Sequence, residues 1–363
     1  MGSDSPVKHG GNILALAAAH DLPLGAILDF SASINPLGPP EEVVVALQAA
    51  LQELCHYPEQ HAGRLVDDLA EDHALPSACF LAGNGSTELI YLLPRVLLPK
   101  RAAIVAPAFG EYVRACELAG VPVDVLELDP DDQFHFDPTT LLERLDPACE
   151  LVFVANPGNP SGVPIEPQSL LDFSRRLPDN VRLVVDEAFI DFCPGYSLLA
   201  AVSELDNLLV LRSLTKFYAI PGLRAGYLAG PVAEVTALRN GQEPWSVGAP
   251  AQHAARACLA AYAFRRKTLR QIPRLRQQLV AGLQRMGLQV FDSAANYLLG
   301  RLPKGVSSEN LAALLQLQGV LVRSCEDFAG LDDSYLRLAV RSPDENRRLL
   351  RALGALLREL AVD

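Results

Sequence analysis

Residues 212–227 read RSLTKFYAIPGLRAGY, and the run that leads into them, NLLVLRS from residue 207, is apolar and closed by polar residues. A run of that length and character reads as a buried strand. Lys216 therefore falls just past a strand end, between hydroxyl residues and an apolar segment. The chain has five lysines, at positions 8, 100, 216, 267 and 304, and Lys216 alone has this setting. A lysine that attacks an aldehyde must first lose its proton, and partial burial beside another cation lowers its pKa toward that condition. Arg224, eight positions on, can be that cation. On spacing alone, a surface lysine in a loop would read the same way.

Outward from this point, short apolar runs alternate with amphipathic stretches. Seven such runs precede residue 230: CFLAG near 79, AAIVA near 102, VDVLEL near 123, LVFVAN near 151, VRLVVDE near 181, NLLVLRS near 207 and RAGYLAG near 224. Their alternation with helical patterns predicts an α/β fold with a mostly parallel sheet flanked by helices. EEVVVALQAALQEL places Val44, Leu47, Leu51 and Leu54 on one helical stripe. SPDENRRLLRALGALLREL opens with a capping box from Ser342 to Glu345, with Pro343 at the first helical position.

After about residue 245 the pattern becomes a long helical region rich in Ala, Leu and Arg. Strands at LQVF, NYLLGRL, GVLVRS and YLRLAV follow, then a closing helix. The expected organisation is an N-terminal segment (1–45) packing with the small domain, a large domain (46–245) and a small α+β C-terminal domain (246–363). With no internal repeat and no flexible linker, the lobes should be joined by helix.

At 363 residues, half of them apolar, the chain can bury sizeable cores in a soluble globular protein. Its formal charge of −12 repels nucleic acid and anionic lipid at long range. The most basic stretch, RRKTLRQIPRLRQQL at 265–279, reads as the solvated face of a long helix. An anionic metabolite held by two or three buried arginines stays compatible with that charge. Seven scattered cysteines without a CxxC pair argue against a disulfide framework and a structural metal, and so for a reducing cytoplasm. The first twenty residues lack the pattern of a secretion signal, and no apolar run is long enough to span a bilayer.

SLTK followed by GLRAGY resembles the lysine motif of the aspartate-aminotransferase superfamily, fold type I of the pyridoxal-phosphate enzymes. The resemblance implies a PLP-dependent transferase fold, with a three-layer large domain around a mostly parallel seven-stranded sheet. It further implies that Lys216 forms the Schiff base to pyridoxal 5'-phosphate, and that Ser213 and Arg224 bind its phosphate. The other motifs follow in the family's order. GNGSTELI (83–90) runs from a strand into a helix, so the amides of Gly85, Ser86 and Thr87 can hold a phosphate. NPGNPSG (156–162) resembles the family's NPTG turn, in which Asn159 donates to the phenolic oxygen of the cofactor. VVDEAFIDF sets Asp186 past a buried strand, where an acid keeps the pyridine nitrogen protonated. PAFG supplies Phe109 to stack on the ring, and Tyr57 in HYPE matches a tyrosine that reaches the neighbouring subunit's cofactor phosphate, which implies a homodimer.

The resemblance narrows to two branches, the histidinol-phosphate aminotransferases and the threonine-phosphate decarboxylases of cobalamin biosynthesis. HGGN near the N-terminus, DFSASINPLGPP (29–40), PAFGEY, DEAFIDF and EPWSVGAPAQ are similar to the second. The aminotransferases usually carry DEAY, whose tyrosine hydroxyl Phe189 lacks. The decarboxylases usually read SANINP where this chain has SASINP, so Ser33 replaces an asparagine, and phosphoserine stays open as a substrate. Arg323 in VLVRS and Arg337 in YLRLAV lie on predicted strands, at positions that bind the substrate's anionic groups in these relatives, a task suited to bidentate arginine. His9, Ser31, Ser33 and Asn35 are expected to close over the substrate. Two other readings stay open: an aminotransferase, and a cofactor-binding regulatory domain without turnover.

Overall fold

The computed structural model describes residues 9–360. Two residues, Leu28–Asp29, form β1. Each of the seven apolar runs is then a strand: β2 (Phe80–Asn84), β3 (Ala102–Ala106), β4 (Val123–Glu127), β5 (Leu151–Ala155), β6 (Arg182–Asp186), β7 (Leu208–Ser213) and β8 (Ala225–Ala229). They form one sheet in the order β2-β8-β7-β6-β5-β3-β4, the α/β fold expected from the sequence. From β7 to β4 the neighbours are parallel, while β8 runs antiparallel to both β7 and β2. Alternate side chains face opposite layers. Val105, Val154, Val185 and Val210 enter one core, and Ile104, Phe153, Val184 and Leu209 enter the other. Helices cover both faces, which makes three layers.

A smaller antiparallel sheet follows, built from β9 (Gln289–Val290), β10 (Tyr297–Arg301), β12 (Arg323–Ser324) and β13 (Tyr335–Ala339), in the order β12-β13-β10-β9. β11 (Val320–Leu321) pairs in parallel with β1, and Phe30, fully buried, joins the core of Leu298, Leu336 and Leu338. The helix Tyr262–Gln284 contains the basic stretch 265–279 and serves both lobes. Its Ile272 packs in the large core, while Leu279 and Leu283 pack in the small one. The closing helix Pro343–Leu360 starts from the expected box, with Glu345 N–H donating to Ser342 Oγ at 3.3 Å and Ser342 N–H to Glu345 Oε2 at 3.1 Å.

The helix Glu41–Ala50 departs from its pattern. It turns Val43 and Ala50 inward and leaves Val44 exposed, as are Leu51 and Leu54 in the turn that follows it. Of the stripe read from the sequence, Leu47 packs against the large core, while Val44, Leu51 and Leu54 lie outside it. Among the described residues, no helix is long and apolar enough to cross a membrane.

Candidate active site

In an open α/β sheet, ligands bind beyond the carboxyl ends of the parallel strands. Here those ends deliver Asp186 from β6, Ser213 and Lys216 from β7, and the loop 156–162 from β5. Because β8 runs the other way, its start lies beside the end of β7, with Ser213 opposite Gly226. That reversal brings Arg224 to the same edge. β2 is reversed again relative to β8, so Asn84 faces Ala225 and the helix Gly85–Leu97 starts there too. A cleft of about 1230 Å³ opens at this edge.

Lys216 lies half-buried in the cleft, on the short helix Leu214–Phe217. Burial first, then the positive charges of Arg224 and Arg337, pull its amine down to about 8, and Asp186 pulls the other way. Asp186 is 6% exposed and accepts from Tyr112 OH at 2.6 Å and from the Ala188 N–H at 2.9 Å. Burial pushes its carboxyl above the usual range, against those two hydrogen bonds and Lys216.

The phosphate-cradle residues gather around Arg224. Its Nη2 donates to Thr87 Oγ1 at 3.5 Å, and the Ser213 and Thr215 hydroxyls lie 2.7 Å apart. Ser86, Thr87, Ser213 and Arg224 all line the cleft. Gly85 does not, but its φ is +74°, and a β-carbon on it would stand 2.5 Å from Arg224 Nη2. Glycine is what lets the guanidinium approach the helix start.

On the opposite wall, Arg337 Nη1 donates to Asn159 Oδ1 at 2.7 Å and Nη2 to the Ser31 carbonyl at 2.7 Å. That bond commits the Asn159 oxygen and leaves its NH2 as the donor. Arg337 Nε is buried without a partner among the described residues, as is Ser33 Oγ. Arg323 pairs with Asp327 at 2.7 Å and lies over the Phe328 ring. Phe109, His9, Ser31 and Ser33 also line the cleft, and Phe189 joins them, packed edge-on against Tyr297 at 4.8 Å.

Two expected site residues lie elsewhere. Asn35, 2% exposed, donates to the Phe217 carbonyl at 2.8 Å and to Thr268 Oγ1 at 3.1 Å, while its own N–H donates to the Lys216 carbonyl. It braces the lysine segment from behind and does not line the cleft. Tyr57 is 81% exposed, stacks on Trp245 at 4.8 Å and is absent from its own chain's cleft. Sequence reasoning missed Tyr112 and Thr215. The first lay within the quoted PAFGEY and the second within SLTK, but neither spacing reveals which hydroxyl meets Asp186 or Ser213.

The donor set suits pyridoxal phosphate. Asp186 is a buried carboxylate whose hydrogen bonds come only from neutral donors, a costly arrangement that a protonated pyridine nitrogen would relieve. Across the cleft, the Gly85 helix start, Arg224 and paired hydroxyls form a site for a phosphate dianion. The Lys216 amine, lowered to about 8, lines the same cleft and feels the charges of both Arg224 and Asp186.

The chain is 39% identical to a threonine-phosphate decarboxylase of Salmonella typhimurium over 359 residues, 97% of each protein. Among solved structures, a histidinol-phosphate aminotransferase from Clostridium acetobutylicum superposes with a TM-score of 0.86 at 29% identity, covering 92% of this chain and 100% of the other. An L-threonine-O-3-phosphate decarboxylase from Porphyromonas gingivalis gives 0.81 at 26%, with the same coverage. The family model for aminotransferase class I and II matches residues 26–353, from before the first strand to within the closing helix. By its sheet order, the lysine past β7 and a family match that runs almost end to end, this chain belongs to the aminotransferase class I and II family.

Proposed function

We propose that the chain is a pyridoxal-phosphate-dependent lyase that decarboxylates L-threonine O-3-phosphate to (R)-1-aminopropan-2-yl phosphate, for the linker of the cobalamin nucleotide loop. The observation that carries this reading is the 39% identity to the Salmonella typhimurium decarboxylase across 97% of both chains. When bound, the cofactor supplies an electron-poor ring that takes up the electron pair of the bond cleaved at the substrate α-carbon. Asp186, backed by Tyr112, would hold the proton on the ring nitrogen, and Asn159 would donate to the phenolic oxygen. Ser86, Thr87, Ser213 and Arg224 hold the cofactor phosphate, and Phe109 covers the ring.

Arg323 and Arg337 divide the substrate's carboxylate and phosphate between them. Their grip would orient the substrate so that its carboxylate is the group lost from the α-carbon as carbon dioxide, the bonding electron pair staying behind for the bound cofactor to take up. Lys216 Nζ, about half of it still ammonium at pH 8, would then return a proton to that carbon. Ser33, whose buried hydroxyl lacks a partner among the described residues, faces the same cleft and bears on the choice between phosphothreonine and phosphoserine.

The exposed Val45, Leu51, Leu54, Tyr57 and Trp245 support a homodimer in which Tyr57 reaches the neighbouring site. A cytoplasmic location fits the seven cysteines, and the division at residues 45 and 245 fits the β1–β11 pairing and the helix shared by both cores. Aminotransfer to histidinol phosphate is the second reading, favoured by the TM-score of 0.86 to the Clostridium acetobutylicum enzyme. Incubation with O-phosphothreonine separates the two. Release of carbon dioxide without a keto-acid acceptor is expected. Conversion to the pyridoxamine form by histidinol phosphate, reversed by 2-oxoglutarate, would overturn decarboxylation.

A further inference from the structure

Glu111 is a buried acid to which the reaction above gives no part. It is 6% exposed and opens the helix Glu111–Leu118, where the helix N-terminus favours a carboxylate. Its Oε1 lies 2.8 Å from His9 Nε2, and its Oε2 accepts from Tyr91 OH. Both oxygens are thus committed, one of them to a residue of the N-terminal strand of chain. Two residues on, Gly11 N–H donates to Ser31 Oγ at 2.8 Å, and Ser31 Oγ donates to Asp29 at 2.6 Å. A β-carbon on Gly10 would overlap the Ser31 carbonyl, the same oxygen that Arg337 Nη2 holds. Residues 9–11 therefore form a strap across the cleft, fastened to the large lobe by Glu111 and to the Arg337 side by Ser31.

We infer that Glu111 is a positioning residue for the distal phosphate of the substrate, acting through His9. With Nε2 tied to Glu111, only Nδ1 of the ring is open to a ligand, and the imidazole lies beside Phe109, with ring centroids 5.8 Å apart. Tyr91 fixes the carboxylate, the carboxylate fixes the imidazole, and the imidazole meets an anion at the cleft mouth. Without the carboxylate, the strap keeps its Gly11 anchor but His9 loses its bearing. The inference rests on the reading of the substrate as a phosphorylated amine.

A double-mutant cycle on the holoenzyme tests it, using calorimetric titration with O-phosphoethanolamine, which has no carboxylate to lose, and with ethanolamine. Glu111→Gln is expected to weaken phosphoethanolamine about tenfold, equivalent to about 1.4 kcal/mol, and to leave ethanolamine unchanged. His9→Ala should do the same, and the double variant should be no weaker than His9→Ala, since residues acting as one unit are not additive. Tyr91→Phe, which keeps the ring packing, should give about a threefold loss for the phosphate ligand alone. Additive losses, equal weakening of both ligands, or unchanged affinity in Glu111→Gln and Tyr91→Phe would each overturn the role. Carbon dioxide release by the wild type is measured separately. Its absence sinks the decarboxylase and leaves a phosphate-selective cycle standing.

Discussion

Replacing Arg224 by Met should raise the titration midpoint of Lys216, and replacing Asp186 by Asn should lower it. The amine falls from 10.5 to about 8 through burial first, then Arg224, then Arg337, with Asp186 opposing. At pH 8 about half of the side chains are neutral, against about one in three hundred for an unperturbed lysine. Burial is the largest cause and Arg224 the second, with Asp186 opposing both, so loss of Arg224 recovers part of the drop, on the order of one pH unit. The sign is fixed by charge: a neighbouring cation penalises the ammonium form, and a neighbouring anion favours it. Only the neutral amine captures an aldehyde, so the rate of pyridoxal-phosphate capture by the apoprotein, trapped with borohydride across roughly pH 6 to 10, follows that fraction. Arg224→Met also weakens the phosphate cradle and lowers every rate, but the midpoint is independent of the amplitude. A midpoint that stays near 8 in both variants, or moves the same way in both, refutes the electrostatic account.

Gly85→Ala should weaken cofactor binding at least tenfold without unfolding the chain, because φ is +74° and the new methyl meets Arg224 Nη2 at 2.5 Å; equilibrium dialysis measures it beside circular dichroism. His73, buried beside Arg212, is held down to about 4 from 6.5. The unfolded state takes up that proton first, so stability is lost as pH falls from 6.5 to about 4, by about 3 kcal/mol, and levels off below; urea melts of His73→Gln should lack this slope. Arg212 binds Glu187 at 2.9 Å and Asp191 at 2.7 Å inside the protein, so Arg212→Met should cost about 3 to 5 kcal/mol in the same melts. Leu54→Glu should shift sedimentation from dimer to monomer, and a wild type that sediments as a monomer would remove the dimer from the proposal.

The central strands β3, β5, β7 and β8 were legible because each is a short run buried on both faces, while the edge strand β4, with only Leu126 buried, was read from its β-branched alternation. Lys216, Asp186 and Arg224 were legible for a related reason: each sits within a few residues of a strand end, and strand ends in such a sheet converge. Side-chain direction was not. Helical periodicity in Glu41–Ala50 defines a stripe but not which stripe meets the core, and Val43 is inside where Val44 was read. Asn35 stood in a motif that points at the substrate, yet its amide turns to the backbone of Phe217. Contacts across long separations, such as Tyr112 with Asp186 or His9 with Glu111, leave no periodic trace in either partner's neighbourhood.

Arg337 is the keystone of three lengths of chain that are far apart in sequence: β13, the loop after β5 and the turn after β1. Its two Nη groups are bonded to Asn159 and Ser31, while its Nε is buried with no partner among the described residues. Loss of Arg337 would therefore unfasten the Asn159 turn and the Ser31 turn together, since a single guanidinium holds both.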